Sequence, residues 1–591
     1  MKAFLMAATA IAMVAMGGAP FAQIDTFVPV TQAMLENPSP DDWLLYSRTY
    51  DSQRFSPLSQ ITKQNVSQLR MAWVRGLAPG GQEVTPLVYR GVMYVVGPDA
   101  TVQALDATNG DLIWQFKAPG EQRGGAPTVK GISIFEDLVF YTGPGSMVYA
   151  IDARTGRLRW ETKADQRRHT GGSLVADGKV ITSGTCESRP SCYLSAYDAR
   201  TGKEAWRFYS AAGPGDPGDA SWGGLPPDKR QTSTWGSPGS YDPVRKLVFW
   251  GVANPGLSAS TGYTRRERHG GNQNAIGLSA PADLYSNSTL ALDPATGKLA
   301  WYYQHVPGDD WDEDGNEERV LLRTPMSPDP RFVKWINPAI RRGEVRDVSV
   351  NVGEGGGLFV LDRSNGQFLW ATPFPYDTPN FHLSKIDVQT GTTYLNEKLL
   401  VSAYPGARHT LCFWNTKSFW SMAYHPGKNA LYIPFFDNCV DMQSAIPAEE
   451  GHEARPQTRT AILRPGGDPN KSQGLAKVNI ATGEIERWHL GQVPSNGAVL
   501  ATASDLIFWG DVNRRLRAFD ADSGKVLWEQ VLGGSITTST ITYAVNGKQY
   551  LAVLTGTTLG DDELTTGRRA PVQLPIRPAF GHNSIYVFAL P

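Results

Sequence analysis

AIDARTGRLRW, residues 150–160, decides the fold, because five other stretches of the chain repeat it. ALDATNGDLIW (104–114), AYDARTGKEAW (196–206), ALDPATGKLAW (291–301), VLDRSNGQFLW (360–370) and AFDADSGKVLW (518–528) share its apolar-Asp start, a Gly four residues after the Asp and a Trp four residues after the Gly. A weaker copy runs through Asn479, Gly483 and Trp488, with the Trp one place late. Within each copy apolar residues alternate, break at a polar run holding Asp and Gly, and resume toward the Trp, which reads as a hairpin. The Gly supplies the positive φ that a short hairpin loop needs, and the Asp carboxylate can accept from the N–H groups of the turn. A four-stranded sheet cannot bury its own faces, so a Trp repeated once per unit is expected to wedge between neighbouring sheets.

Self-similarity at a period of roughly 40 residues or more means stacked units. Seven copies, with Trp73 in LRMAWV as the end of one further unit, predict an all-β chain folded as an eight-bladed β-propeller. The C-terminal SIYVFALP (584–591) is expected to pair beside the N-terminal region, closing the ring with strands from both ends of the chain. The longest gaps between copies follow Trp206, Trp301 and Trp370, and long insertions on a repeat scaffold are loops that build sites. Loops 207–234, 303–350 and 371–420 should therefore shape the substrate pocket.

With 591 residues and 41% hydrophobic content the chain can bury a large core as a single domain. A net charge of −1 gives no electrostatic reason to expect nucleic acid as a partner. Lys2, the apolar run from Ala3 to Met16 and the small residues Gly17, Gly18 and Ala19 read as a signal peptide cleaved after Ala19 or Ala22. The expected organisation is a signal peptide over 1–22 and the propeller over 23–591, with no membrane-spanning segment in the mature chain. In an oxidising compartment the four cysteines are expected to pair as Cys186–Cys192, which would clip one loop, and Cys412–Cys439. No Cys-x-x-Cys-His occurs, so no covalent c-type haem is expected on this chain, and neither an HExxH pair nor a phosphate-cradling Gly loop is present. His169 and His409 read as satisfied loop residues.

An exported propeller with Trp-terminated repeats resembles the quinoprotein alcohol dehydrogenases, which carry pyrroloquinoline quinone and a metal ion. The resemblance runs from WLLYSRTYDSQRFSPLSQITKQNVSQLRMAW (43–73) to the closing RLRAFDADSGKVLW (515–528) and GKQYLAVLTG (547–556). Its strongest motif is DDWDEDGNEE, Asp309 to Glu318. In the family the Asp directly after this Trp is the catalytic base, here Asp312. Oxidising an alcohol requires removal of the hydroxyl proton as hydride leaves carbon, and a carboxylate held beside the substrate takes that proton. A hard cation on a quinone carbonyl oxygen makes the ring a better hydride acceptor.

Asp314, two residues on in an extended segment, should point to the same side as Asp312, and Glu313 to the other. In calcium-using relatives this position is commonly uncharged, so the resemblance points to the lanthanide-dependent branch, where a trivalent ion is matched by one more carboxylate. The same resemblance makes Glu187 (in SGTCESRPSCYLSAYD) and Asn254 (in FWGVANPG) further metal ligands beside Asp312 and Asp314. It makes Trp235 the flat floor beneath the cofactor and sets Thr185 and Cys186 near its upper face. Thr170, Glu83 and Asn496 become polar contacts to it.

Four places depart from the family. Adjacent cysteines that close over the cofactor are replaced by Gly124-Gly125, and a carboxylate-binding Arg by Lys130. Glu354 stands where the family places Arg or Lys near the catalytic Asp, and a negative charge there would raise the pKa of Asp312 unless the metal compensates. Ser418 stands in the place of a cofactor-binding Asn, with Lys417 and Asn415 nearby, so that either a local shift brings Lys417 into the role or the site is retuned. The resemblance implies a periplasmic enzyme that oxidises a small alcohol and passes electrons to a separate acceptor such as a c-type cytochrome. A sugar, cyclic alcohol or aldehyde as substrate, a non-catalytic propeller scaffold and a homodimer stay open at this point.

Overall fold

The computed structural model describes residues 24, 26–119, 129–166, 169–256, 264–272, 274–448, 453–492, 496–537, 539–556 and 582–591. The expected signal peptide and the Gly124-Gly125 pair lie outside these residues. The described chain is all-β, with two short α-helices, Gln32–Glu36 and Arg265–Arg268, among its strands. No described helix is long and apolar enough to cross a membrane.

Each repeat is the hairpin joining the third and fourth strands of a sheet. In the copy at 150–160 the strands are Met147–Asp152 and Leu158–Lys163, and Trp160 pairs with Ala150 across a register shift. The same shift recurs between Ala104 and Leu105, Ala196 and Tyr197, Ala291 and Leu292, Val360 and Leu361, and Ala518 and Phe519. A bulge at this point bends the outer strand and re-aims its side chains. The turn chemistry is as the sequence predicts: Asp152 Oδ1 accepts from the amides of Arg154 and Thr155, both at 3.0 Å, and the Gly156 amide closes on Asp152 O.

Among the described residues, eight sheets carry four or five strands each and follow one another along the chain. The eighth joins the two ends: Arg70–Gly76 pairs antiparallel with Ser584–Ala589, with Trp73 opposite Val587, and Lys548–Thr555 and Thr540–Val545 complete the sheet. The repeat Trps carry the contact from sheet to sheet. Trp73, Trp114, Trp160 and Trp206 each donate the indole N–H to a carbonyl in the next repeat, Ala107, Ala153, Ala199 and Pro294 respectively, at 2.9–3.1 Å. Burying an indole of roughly 150–250 Å² is worth about 4–6 kcal/mol at the usual transfer coefficient, an upper bound for a compact unfolded chain.

The repeat Gly thus serves twice. Gly156 has φ +71, and a Cβ there would stand 2.6 Å from Cε3 of Trp114. Gly110 against Trp73 and Gly366 against Trp301 have the same geometry. The pattern breaks at the weak copy, where a Cβ on Gly483 would meet Val333 before Trp370. Gly156→Val is expected to cost about 2–5 kcal/mol, combining left-handed backbone strain with overpacking. Thermal unfolding monitored by Trp fluorescence checks this, and an unchanged midpoint would contradict it.

Two smaller sheets stand outside the eight. Leu383–Ile386 pairs with Thr393–Leu395, and Arg408–Leu411, Asn438–Gln443 and Thr458–Leu463 form a three-stranded sheet. Both are built wholly or partly from the long insertion after Trp370. The expected disulfides are present, Cys186–Cys192 and Cys412–Cys439, and the latter ties the end of strand Arg408–Leu411 to strand Asn438–Gln443.

Candidate active site

The segment Asp309–Glu318 is shaped by its first carboxylate. Asp309 is buried, and its Oδ1 accepts from the amides of Trp311 (2.6 Å) and Asp312 (3.1 Å). Its Oδ2 takes the amide of Glu313 (2.7 Å) and Asn287 Nδ2 (2.9 Å). This Asx-type turn holds Asp312 at φ +70, a conformation that a non-Gly residue keeps only when its surroundings over-determine it. Asp310 anchors the other side through the amides of Arg265 and Ser402, both at 2.8 Å, and burial pushes its pKa up to about 6. Trp311 is fully buried and donates to Leu399 O at 2.9 Å.

Asp312 and Asp314 meet at Asn254. Asn254 Nδ2 donates to Asp312 Oδ1 at 2.5 Å, and the Asn254 amide donates to Asp314 Oδ1 at 3.0 Å. Trp235 Nε1 donates to Asp314 Oδ2 at 3.0 Å. Asp312 Oδ2 receives Nη1 of Arg459 in an ion pair. Glu313 faces away, as expected, with Oε2 3.1 Å from Nδ1 of His382. The segment is not a regular extended strand, however. The two aspartates share a side because the left-handed residue at Asp312 and the shared Asn254 bring them together.

Negative charge is concentrated here. Burial first, then the Glu354 and Asp312 carboxylates, raise the pKa of Asp314 well above the carboxylate range, and the Asn254 amide opposes them. Burial and Asp309, Glu354 and Asp312 do the same to Glu313, while burial pulls its neighbour His382 down to about 3. Glu317 is raised by burial and Glu354 against the pull of Lys417, and neither of its carboxylate oxygens has a hydrogen-bond partner. Glu354 is buried, with its amide donating to Asp314 O and its carbonyl accepting from Thr416. Lys417, one of the substitutes expected near the cofactor, is fully buried and paired with Glu318, Nζ to Oε2 3.0 Å, and also donates to the carbonyl of Ser418 at 3.1 Å.

A second group lies beside Trp235. The Trp235 carbonyl accepts from Thr170 Oγ1 at 3.1 Å. Lys130 is buried, bonds Glu83 Oε2 at 2.8 Å, and sits 4.7 Å from the Trp235 ring centroid and 4.6 Å from that of Phe419. Strand-like bonding between Gly184 and Thr234 brings Thr185 and Cys186 alongside, and Cys186 O accepts from Gln231 Nε2 at 2.7 Å. The structure thus gathers Asp312, Asp314, Asn254, Trp235, Lys130, Glu83 and Thr170 through direct contacts. Glu187 is exposed, with its amide donating to Ser191 Oγ. Among the described residues, no three His, Cys, Asp or Glu side chains stand close enough to share a metal ion, so Glu187 does not complete a trio with Asp312 and Asp314. His169 differs from its expected satisfied state: it is fully buried, neither ring nitrogen has a partner, and burial lowers its pKa to about 4.

The polar atoms left over fit a polar ligand and a cation. Thr185 Oγ1, Asn254 Oδ1, Asn496 Oδ1 and both Glu317 oxygens are buried without a hydrogen-bond partner. Each such atom costs about 1–3 kcal/mol unless something meets it. The Asn254 amide is one rotation from presenting its oxygen where Asp312 and Asp314 converge.

The chain matches the family model described as PQQ: glucose/ethanol/alcohol dehydrogenase, β-propeller domain, over residues 43–374 and 460–551. The chain belongs to this pyrroloquinoline quinone-dependent alcohol dehydrogenase family. It is 30% identical over 584 residues to quinohemoprotein alcohol dehydrogenase ADH-IIG of Pseudomonas putida, covering 90% of this chain and 75% of that protein. It is 29% identical to the quinoprotein ethanol dehydrogenase of Pseudomonas aeruginosa, covering 93% of this chain and 90% of the relative. A europium-containing methanol dehydrogenase superposes with a TM-score of 0.77 at 26% identity, over 95% of this chain and 100% of the other. Membership implies pyrroloquinoline quinone and a metal ion as cofactors, which the unmet acceptors and the buried carboxylates fit. For this quinoprotein, sequence reasoning missed Arg459, the turn-building role of Asp309, the Glu318 partner of Lys417 and the aromatic Phe419. Only Asp309 had a local signal, an Asp two and three residues ahead of amides it could bind.

Proposed function

We propose that this quinoprotein is a periplasmic enzyme that oxidises a small alcohol, built as an eight-bladed ring over residues 23–591 behind a signal peptide over 1–22. The passage of contacts from each repeat Trp to the next sheet, ending with Trp528 against Phe588 of the end-joining sheet at 5.4 Å, supports the ring. The pairing of all four cysteines in disulfides supports an oxidising compartment. The observation that carries the catalytic reading is the convergence of Asp312 and Asp314 on Asn254 beside the Trp235 ring.

When bound, the quinone supplies the two-electron acceptor and the metal a fixed positive charge beside it. Asp312 takes the proton of the substrate hydroxyl. The turn built on Asp309 sets the direction of this carboxylate. Trp235 is the floor of the cofactor site, and Lys130, Glu83, Thr170, Thr185, Cys186, Ser418 and Asn496 line it. Glu187, Asn254, Asp312 and Asp314 are the metal ligands, which asks of Glu187 a movement inward. Electrons leave one at a time to a separate c-type cytochrome.

The second aspartate favours a lanthanide over calcium, because a trivalent ion is better matched by one more carboxylate than a divalent one. Metal-free protein loaded with the quinone and either lanthanum or calcium is expected to turn over faster with lanthanum. Full activity with calcium and none with lanthanum would reverse that preference. Failure to bind the quinone with either ion would remove the enzymatic reading itself.

A further inference from the structure

Asp312 has two side-chain partners among the described residues, one on each oxygen: Asn254 Nδ2 and Arg459 Nη1. Arg459 does not come from any of the eight sheets. It lies on strand Thr458–Leu463 of the three-stranded sheet, opposite Met442 on Asn438–Gln443, which in turn faces His409 on Arg408–Leu411. The Cys412–Cys439 disulfide locks two of these strands together. The other arm of the guanidinium reaches Gln457 Oε1 at 3.5 Å. The Arg459 side chain is 10% exposed and that of Asp312 25%, so this ion pair is partly shielded from bulk water and salt.

The neighbouring cations have other partners. Lys417 is paired with Glu318 and Lys130 with Glu83. Arg319 bonds the carbonyls of Glu317, Gly315 and Ser288 and the hydroxyl of Thr289. Arg459 is therefore the cation that meets Asp312 in a cluster otherwise dominated by carboxylates.

We infer that Arg459 is a positioning residue for Asp312: it orients the carboxylate for the substrate hydroxyl. A sheet added outside the propeller core thus completes the catalytic centre, and its disulfide holds that contribution in register. The inference rests on the role proposed for Asp312. Because Arg459 touches the oxygen opposite the Asn254 contact, its loss removes the side-chain partner of Oδ2 and lets the carboxylate pivot about Oδ1, and a displacement of about 1 Å at a reacting group is enough to lose about 100-fold in rate.

The test uses the full chain loaded with quinone and metal, comparing wild type with Arg459→Gln and Arg459→Lys. Steady-state kcat and KM, quinone affinity by absorbance titration and the thermal midpoint are measured for each. Arg459→Gln is expected to lower kcat by about 100-fold with KM, quinone affinity and midpoint close to wild type. Arg459→Lys should recover part of the loss, because it keeps the charge without the planar fork. A kcat for Arg459→Gln near that of wild type overturns the inference, as does a loss traced wholly to quinone affinity or to the thermal midpoint. Absence of turnover in wild-type protein that has bound the quinone instead overturns the role given to Asp312, which separates the two failures.

Discussion

Asp312→Asn is expected to lose about 10²–10⁴-fold in kcat while still binding the quinone, the range by which a positioned general base accelerates proton transfer. The substitution is nearly isosteric. Its amide oxygen can still accept from Asn254 Nδ2 or from Arg459, so the turn built on Asp309 and the positive φ at position 312 should persist. What disappears is the proton acceptor and one negative charge. Measurement of kcat at saturating alcohol, with the absorbance of bound quinone as the loading control, separates lost chemistry from lost cofactor. Turnover within tenfold of wild type would move the base elsewhere, and the buried carboxylates of Glu354 and Glu317 would be the next residues to replace.

Lys417→Met is expected to destabilise the fold by about 3–5 kcal/mol, the cost of removing one partner of a buried ion pair. Both members are shut away from water, Lys417 fully and Glu318 to 1%. Without the ammonium, Glu318 keeps the Met422 amide at 2.8 Å as a hydrogen-bond donor and the more distant charges of Arg54 and Arg319. The nearby Glu317 loses the larger of the two cationic influences that oppose its burial. The midpoint of urea unfolding reads the effect. The double variant Lys417→Met/Glu318→Leu should recover most of the loss, because an apolar pair needs no charge compensation. A single variant within about 1 kcal/mol of wild type would show that the pair is weakly coupled. These two substitutions test different things. The first removes the proposed proton acceptor, the second a charge buried in a carboxylate-rich core.

Residues with local reasons for their identity were legible in the sequence. The repeat Gly, Asp and Trp act within one hairpin and its immediate neighbour, so their spacing alone announces the bulged turn and the inter-sheet contact. The pairing of SIYVFALP beside the N-terminal region followed from a strand that needs a partner, and Trp73 does lie opposite Val587. Asp312 and Asp314 were legible through their motif, although the reason offered for their shared direction, an extended backbone, gave way to a left-handed residue at 312. His169 was misread because nothing in its local sequence reveals full burial. Lys417 was placed near the cofactor because its charge was visible, whereas Glu318, its partner 99 residues away, was not.

By itself, then, the sequence determined the repeating all-β architecture and both disulfide pairings, and it singled out the segment proposed to carry the reacting carboxylate. Each of these depends on local backbone preference, on hydrophobic period or on a small number of cysteines. Only the tertiary structure decided which charges meet: Arg459 on Asp312 across 147 residues, Lys417 on Glu318, Lys130 between Glu83 and two aromatic rings. Coulomb energy and hydrogen bonding depend on distance and burial in space. Spacing along the chain carries no record of either once the partners lie on different sheets.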